Sequence, residues 1–502
     1  MDALLPILVG VGQITDRGDE LATKREPLAL MADATRLALE DAQCRELVGR
    51  IDSVRVVNTL SGASYEAPAD MLAQRLDLAS GERLYTAIGG NGPQWLVNRS
   101  ADDLAAGRRR AVLIAGGEAL HTLRLASKNR VDLPWTQGRG CAATIGDDRQ
   151  GSHPDEWRYG LQMPTQIYPL FEIALRAHEG RDPAAHHERL ARLASSFAAV
   201  AASNPHAWFR DGKSAAEIGT VTPVNRMIAY PYPKYMTSII EVDQAAAVIM
   251  TTVGEARALG IPPARWIYVH GGGEATDLWF LKDRVAFHSS PGMAEAFRQA
   301  LTQAEVVAST DLDLLDLYSC FPVAPQIAAS VLEVPSDGTR PLTVTGGLPY
   351  FGGAGNNYTL HAIATMVERL RGTSGARGLV SALGWYLTKH AVGIYGAAAP
   401  ERPWSREPVA DRQRAIDALP HPTFVDKCEG RGRIETYTVL HDRDGAMTQA
   451  LLIVRCDDDR RTLALVDDAD VLATLERQEM VGAPGVLRPR PDGCNAFQPL
   501  GA

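Results

Sequence analysis

The chemistry open to this chain is crowded into a few turns, and the densest spans residues 344–370, VTGGLPYFGGAGNNYTLHAIATMVERL. It reads as strand, glycine-rich loop and helix. Gly346, Gly347, Gly352, Gly353 and Gly355 let the backbone approach a ligand closely. Asn356 and Asn357 stand where the loop turns helical, a place where an asparagine oxygen caps free N–H groups. Leu360, Ile363, Ala364 and Val367 follow at helical spacing, so one face of that helix is expected to be buried. A helix N-terminus under such a loop offers uncommitted donors to a phosphate or a developing oxyanion. The same glycines equally suit close packing of a helix on a sheet.

Groups able to move protons stand elsewhere. Tyr318 and Cys320 lie in DLYSCF, and His390 lies in LTKHAVGIY. A buried tyrosine relays protons or simply packs, and a lone histidine acts as acid/base or as a structural hydrogen-bonder. A cysteine attacks or sits as a small hydrophobe. Asn356, Asn357 and the neighbouring backbone N–H groups are the oxyanion candidates, with Tyr350 and Tyr358 framing the pocket.

Several elements must position these groups. Residues 7–12 read as a buried strand, and a helix is expected from Pro27. Residues 54–58 read as a strand, 69–76 as a short helix and 84–88 as a strand running into GGNGP. A helix leaves that turn, and the apolar strand 111–115 ends in Gly116-Gly117. The pattern recurs: strand 342–345, loop 352–357, helix 360–370, strand 378–383. Such an internal repeat predicts two similar α/β halves, each with a glycine loop at the carboxyl end of a strand. Residues 121–235 differ in character and predict an inserted cap with one clear helix, 187–202. Strand 242–253 returns to the core, and 266–270 opens the second half. After the linker AAAPERPW, residues 433–441, 446–456 and 461–466 read as strands, with Asp444-Gly445 as a hairpin turn. A helix at 468–477 and a strand at 486–490 complete a small OB-like barrel. The expected division is 1–262, with the insertion at about 121–240, then 263–400 and 401–502.

The chain has 502 residues, 45% of them hydrophobic, and a net charge of −9, which argues against nucleic acid as a partner. No apolar run is long enough to span a bilayer. Cys44, Cys141, Cys320, Cys428, Cys456 and Cys494 are widely spaced without C-x-x-C motifs, so neither zinc nor a disulfide framework is suggested. A reduced, cytoplasmic protein is the expectation.

Two matching halves, the AGG strand end, the VDQAAAV run, GGLPYFGGAGNNY and DLYSCF together resemble the thiolase superfamily over residues 5–396. With the extra C-terminal module the chain is similar to the thiolase-like proteins often named acetyl-CoA acetyltransferase. The resemblance implies a five-layered αβαβα fold and a CoA thioester as substrate or ligand, with no tightly bound cofactor. It also implies that Gly89, Gly353 and Trp385 stand where a thiolase carries its nucleophilic cysteine, its activating histidine and its last acid/base. None of these side chains holds an acyl group or shuttles a proton, so an ordinary thiolase mechanism is not expected. Gly89, Gly352 and Gly353 would line the thioester, and reactions without an acyl-enzyme stay open, retro-aldol cleavage among them. CoA phosphates would fall to the insertion, with Arg210, Lys213, Arg226 and Lys234 as cations and Trp208 or Trp135 stacking on adenine. A homodimer, or a partner docked on the C-terminal module, is a further expectation, and so is a non-catalytic acyl-CoA-binding role.

Overall fold

The computed structural model describes residues 2–62, 65–138 and 144–500. Cys141 lies outside the described residues. Strand β1 (Pro6–Thr15) is the apolar N-terminal run, followed by β2 (Ile51–Val56), β3 (Glu82–Thr86), β4 (Ala111–Ala119) and β5 (Thr144–Ile145). The insertion carries a short hairpin, β6 (Met227–Ala229) and β7 (Tyr232–Pro233). The core resumes with β8 (Asp243–Thr252), β9 (Ile267–Thr276), β10 (Leu314–Asp316), β11 (Arg377–Gly384) and β12 (Lys389–Gly396).

These core strands run β10-β11-β12-β9-β1-β8-β4-β2-β3-β5. The order β9-β12-β11-β10 repeats β1-β8-β4-β2, with the same parallel and antiparallel senses. The two half-sheets meet where β1 pairs with β9, at Ile7 with Tyr268 and Leu8 with Ile267. Helices Gly92–Ala105 and Tyr358–Arg371 each pack on strands of both halves and so form a central layer. Helix Pro27–Asp41 covers one outer face against β1, β8 and β4, and helix Pro291–Gln303 covers the other against β9 and β12. The layers are therefore αβαβα. Gly10 permits the first contact, because a Cβ there would lie 2.1 Å from the Ala38 carbonyl oxygen.

Residues 342–345 are not a strand. Asp316, fully buried at the end of β10, gathers this segment instead. Its Oδ2 accepts from the Thr343 hydroxyl at 2.9 Å and from the Val344 and Thr345 amides at 2.9 and 3.2 Å. Wrapping around a carboxylate satisfies these donors without a ladder. The insertion is also more helical than one helix: Pro164–His178 precedes Pro183–Ser203, and Pro169 inside the former hides its pattern in the sequence.

At the C-terminus β13 (Gly430–His441), β14 (Met447–Cys456), β15 (Arg461–Val466), β16 (Pro484–Pro489) and β17 (Asn495–Pro499) close a five-stranded barrel. Gly445, with φ +89°, makes the turn between β13 and β14. Two buried arginines fix the barrel. Arg461 reaches Glu435 at 2.9 and 2.6 Å and the core carbonyls of Lys282 and Arg284 at 3.0 and 2.5 Å. Arg176, from the insertion, reaches Glu479 at 2.9 Å and the hydroxyls of Tyr230 and Tyr437 at 2.9 and 3.0 Å. The described cysteines are free and buried; although distant in sequence, Cys428 and Cys456 bring their sulfurs to 2.8 Å. Among the described residues no helix is long and apolar enough to cross a membrane, and no group of His, Cys, Asp and Glu is placed to hold a metal.

Candidate active site at the paired glycine loops

The loop after β3 and the loop before helix Tyr358–Arg371 clasp each other between the two halves. Asn356 Oδ1 accepts from the Gly89 amide at 2.9 Å, while its Nδ2 donates to the Asn58 carbonyl and side chain at 3.0 and 3.1 Å. The Thr359 hydroxyl donates to the Gly90 carbonyl at 3.1 Å. Asn357 does not cap its helix. Its Nδ2 donates to the Gly116 carbonyl at 2.8 Å, and its Oδ1 is buried without a hydrogen-bond partner among the described residues. Gly116 is needed for this fit, since a Cβ there would meet that oxygen at 2.2 Å. The two amides thus hold loops together.

The seat beside Gly89 is occupied. A Cβ at residue 89 would lie 2.4 Å from Asn91 Oδ1, 2.9 Å from Lys389 Cε and 3.0 Å from Lys389 Nζ. Tyr318 points into the same clasp: a Cβ on Gly90 would meet its hydroxyl at 2.3 Å, and that hydroxyl has no hydrogen bond among the described residues. Burial raises the Tyr318 hydroxyl far above its ordinary range, with Cys320 adding to the effect, so it is a proton donor rather than a phenolate. His390 stands on β12, its Nε2 facing Asp277 Oδ2 at 3.0 Å and Ser290 Oγ at 3.2 Å. Burial alone would raise the Asp277 carboxyl, but the His390 hydrogen bond and Arg284 hold it below its usual value. Tyr318 and His390 both line one void of 10 Å³, about the space of a single water.

Cys320 is buried, and desolvation pushes its thiol up to about 12, which leaves little thiolate for attack. Gly352, at φ +114°, presses onto β8 and Gly353 onto the insertion: Cβ atoms there would meet Gln244 Oε1 and Ser238 Oγ, each at 2.5 Å. Beyond Ser238 a cleft of 570 Å³ opens, lined by Phe209, Lys213, Lys234, Tyr235 and Tyr350 among others. Lys213 is paired with Asp211, whereas Lys234 is exposed and has no ion pair among the described residues. Arg226 lies elsewhere, donating to the carbonyls of Met227 and Asp442 at 3.2 Å each, and so links insertion to barrel. Trp208 packs edge-on to His121 and Trp135 against the first half's outer core, so neither lines the cleft.

A second, separate cavity of 720 Å³ is lined by Asp147, Asp277, Trp279, Lys389 and His390 among others. Sequence reasoning missed Lys389, Asp277 and Trp279. The available signal was a lysine beginning an otherwise apolar strand, next to a histidine already singled out. Glu118, fully buried at the end of β4, also adjoins the glycine loop, since a Cβ on Gly355 would meet its Oε1 at 2.2 Å. Its carboxyl is raised to about 7 by burial, against the Ser61 hydroxyl and the Leu60 and Ser61 amides that favour the charged form.

Residues 411–493 match the thiolase-like protein type 1 additional C-terminal domain. No curated protein matches the chain. Among solved structures, a monomeric SCP2-thiolase like protein type 1 from Mycobacterium smegmatis is 31% identical, with each chain covered in full and a TM-score of 0.84. The Ltp2-ChsH2(DUF35) aldolase is 18% identical over 79% of this chain and 98% of that one, at a TM-score of 0.60. The human mitochondrial 3-ketoacyl-CoA thiolase in complex with CoA is 15% identical over 80% of this chain and 100% of its own, at 0.56; these last two share the fold. With the duplicated core, the clasped glycine loops and the fused barrel all present, the chain belongs to the SCP2-thiolase-like proteins of type 1, within the thiolase superfamily.

Proposed function

We propose that the protein binds an acyl-CoA with its phosphates in the 570 Å³ cleft and its thioester at the clasped glycine loops, and cleaves a carbon–carbon bond in it without an acyl-enzyme. The observation that carries this reading is the Tyr318 hydroxyl, which has no hydrogen bond among the described residues, inside the loop clasp beside a residue 89 without a nucleophilic side chain. Lys234, free of any ion pair among the described residues, supplies charge for CoA phosphates, and Phe209 and Tyr235 supply stacking surface. The CoA thiolase and the aldolase complex sharing this fold make both ligand and reaction class reasonable starting points.

In a retro-aldol cleavage His390 takes the β-hydroxyl proton, the Cα–Cβ bond breaks, and its electron pair becomes the thioester enolate. Tyr318 then protonates the α-carbon, and His390 returns a proton to Tyr318 through the void both line. The hydroxyl proton balances the one delivered. Calorimetry with acetyl-CoA should show binding that weakens roughly tenfold in Lys234→Glu, as expected for loss of one phosphate contact. With a β-hydroxyacyl-CoA, Tyr318→Phe should lower kcat about 10²–10⁴-fold, the usual contribution of a positioned acid. Radiolabelled acetyl-CoA should leave no stable protein-bound label. Absence of binding sinks the proposal.

A second reading, a non-catalytic acyl-CoA-binding protein, is favoured by one observation: the Asn356 and Asn357 amides are spent on the carbonyls of Asn58 and of Gly116 in β4. Tight binding with no turnover in parent or Tyr318→Phe would select it.

A further inference from the structure

The 720 Å³ cavity shares no lining residue with the cleft assigned to acyl-CoA. Its walls come from the β3 loop, the insertion, the ends of β9 and β12, and the segment after the linker, so only the folded chain assembles it. Lys389 stands in its wall. The amine donates to the Ile88 carbonyl at 2.5 Å and to the Asp147 carbonyl at 3.1 Å, and it has no ion pair among the described residues. An ammonium needs three acceptors, whereas a neutral amine needs two and keeps a lone pair. Two acceptors are what this seat supplies among the described residues. Desolvation acts in the same direction and brings the amine down to about 8, although the Asp147 carboxylate pulls it up. The nitrogen also lies 3.0 Å from the place a residue 89 Cβ would take, at the seat the family resemblance assigns to a thiol. Trp279, whose ring centre is 5.7 Å from the amine, and Trp95 give the cavity flat apolar wall beside it.

We propose that Lys389 is a nucleophile and that the cavity takes an aldehyde or ketone, held as an imine. The nitrogen lone pair adds to the carbonyl carbon. The C–O bond then breaks, and the oxygen leaves as water with both amine hydrogens. No oxidant or reductant is required, and one proton taken up from solvent then gives the protonated imine an N–H for the Ile88 carbonyl. The cavity shares His390 with the thioester reading, but the imine does not depend on that reading and its test involves no CoA compound.

The test is reductive trapping on the full chain with acetaldehyde and sodium cyanoborohydride at pH 7.5, followed by peptide mass mapping. Lys389 should be ethylated roughly tenfold or more faster than the exposed Lys128, Lys234 and Lys427, because more of its amine is uncharged. The rate should level off above pH of about 8. Lys389→Arg, which keeps a cation and its donors, should fold and lose the fast phase. Labelling of the exposed lysines with Lys389 untouched, or a fast phase surviving in Lys389→Arg, overturns the proposal.

Discussion

Placing a cysteine back at residue 89 should not rebuild a thiolase. The new Cβ would stand 2.4 Å from Asn91 Oδ1 and 2.9 Å from Lys389 Cε, where ordinary contacts begin at about 3.5 Å. One or both side chains must move, and both are anchored: Lys389 to two carbonyls and Asn91 at the start of a buried helix. Overpacking of this kind costs ~1–3 kcal/mol. Residue 89 also has φ +156°, which a side chain tolerates poorly, adding ~1–3 kcal/mol. Gly89→Cys should therefore lose about 2–6 kcal/mol, measured as a shift of the first urea transition followed by tryptophan fluorescence. Lys389→Ala in the same chain should restore the part of the steric share that Lys389 causes and leave the Asn91 and backbone shares, a positive coupling in a double-mutant cycle. The reasoning fails if Gly89→Cys keeps its stability within about 0.5 kcal/mol and takes up stable label from radiolabelled acetyl-CoA.

Three further outcomes follow from the same contacts. Arg461→Met should cost ~1–3 kcal/mol by leaving two core carbonyls unpaired, while Glu435 keeps Arg455, with faster hydrogen exchange confined to β13, β15 and their contacts with the core. Gly116→Ala should cost ~1–3 kcal/mol through its clash with Asn357 Oδ1, partly relieved by adding Asn357→Ala, as urea midpoints will show. His361, fully buried on Gln13 at 2.9 Å, has its imidazole lowered to about 3, first by desolvation and then by His206. A base depressed in the fold contributes full stability above its unfolded value of about 6.5 and loses it as pH falls toward the folded value. Between pH 6.5 and 5 the parent should therefore lose up to ~2 kcal/mol more than His361→Asn, compared by urea midpoints at the two pH values.

Much of the scaffold was legible because it is local. The apolar run 6–15, the strand–turn–strand around Gly445 and the helix at 358–371 each carry their pattern in a dozen residues. The repeat showed through because both halves need a glycine loop ahead of a helix buried on nearly every side. Local reading failed where a distant group intervened. Strand 342–345 looked convincing until Asp316 claimed its amides, and Asn357 looked like a cap until Gly116 offered a carbonyl.

The site divides in the same way. Sequence by itself determined that Gly89, Gly353 and Trp385, the positions where the resemblance expects a thiol, a histidine and a last acid/base, carry no such groups, and that Tyr318 and His390 lie in the motifs around them. Only tertiary structure decided that Lys389, three hundred residues along the chain, fills the seat at Gly89, and that Tyr318 and His390 share a void. The physical reason is that residue type and turn chemistry are written along the chain. Which side chain enters a space left by a glycine depends on strands and loops brought together from both halves.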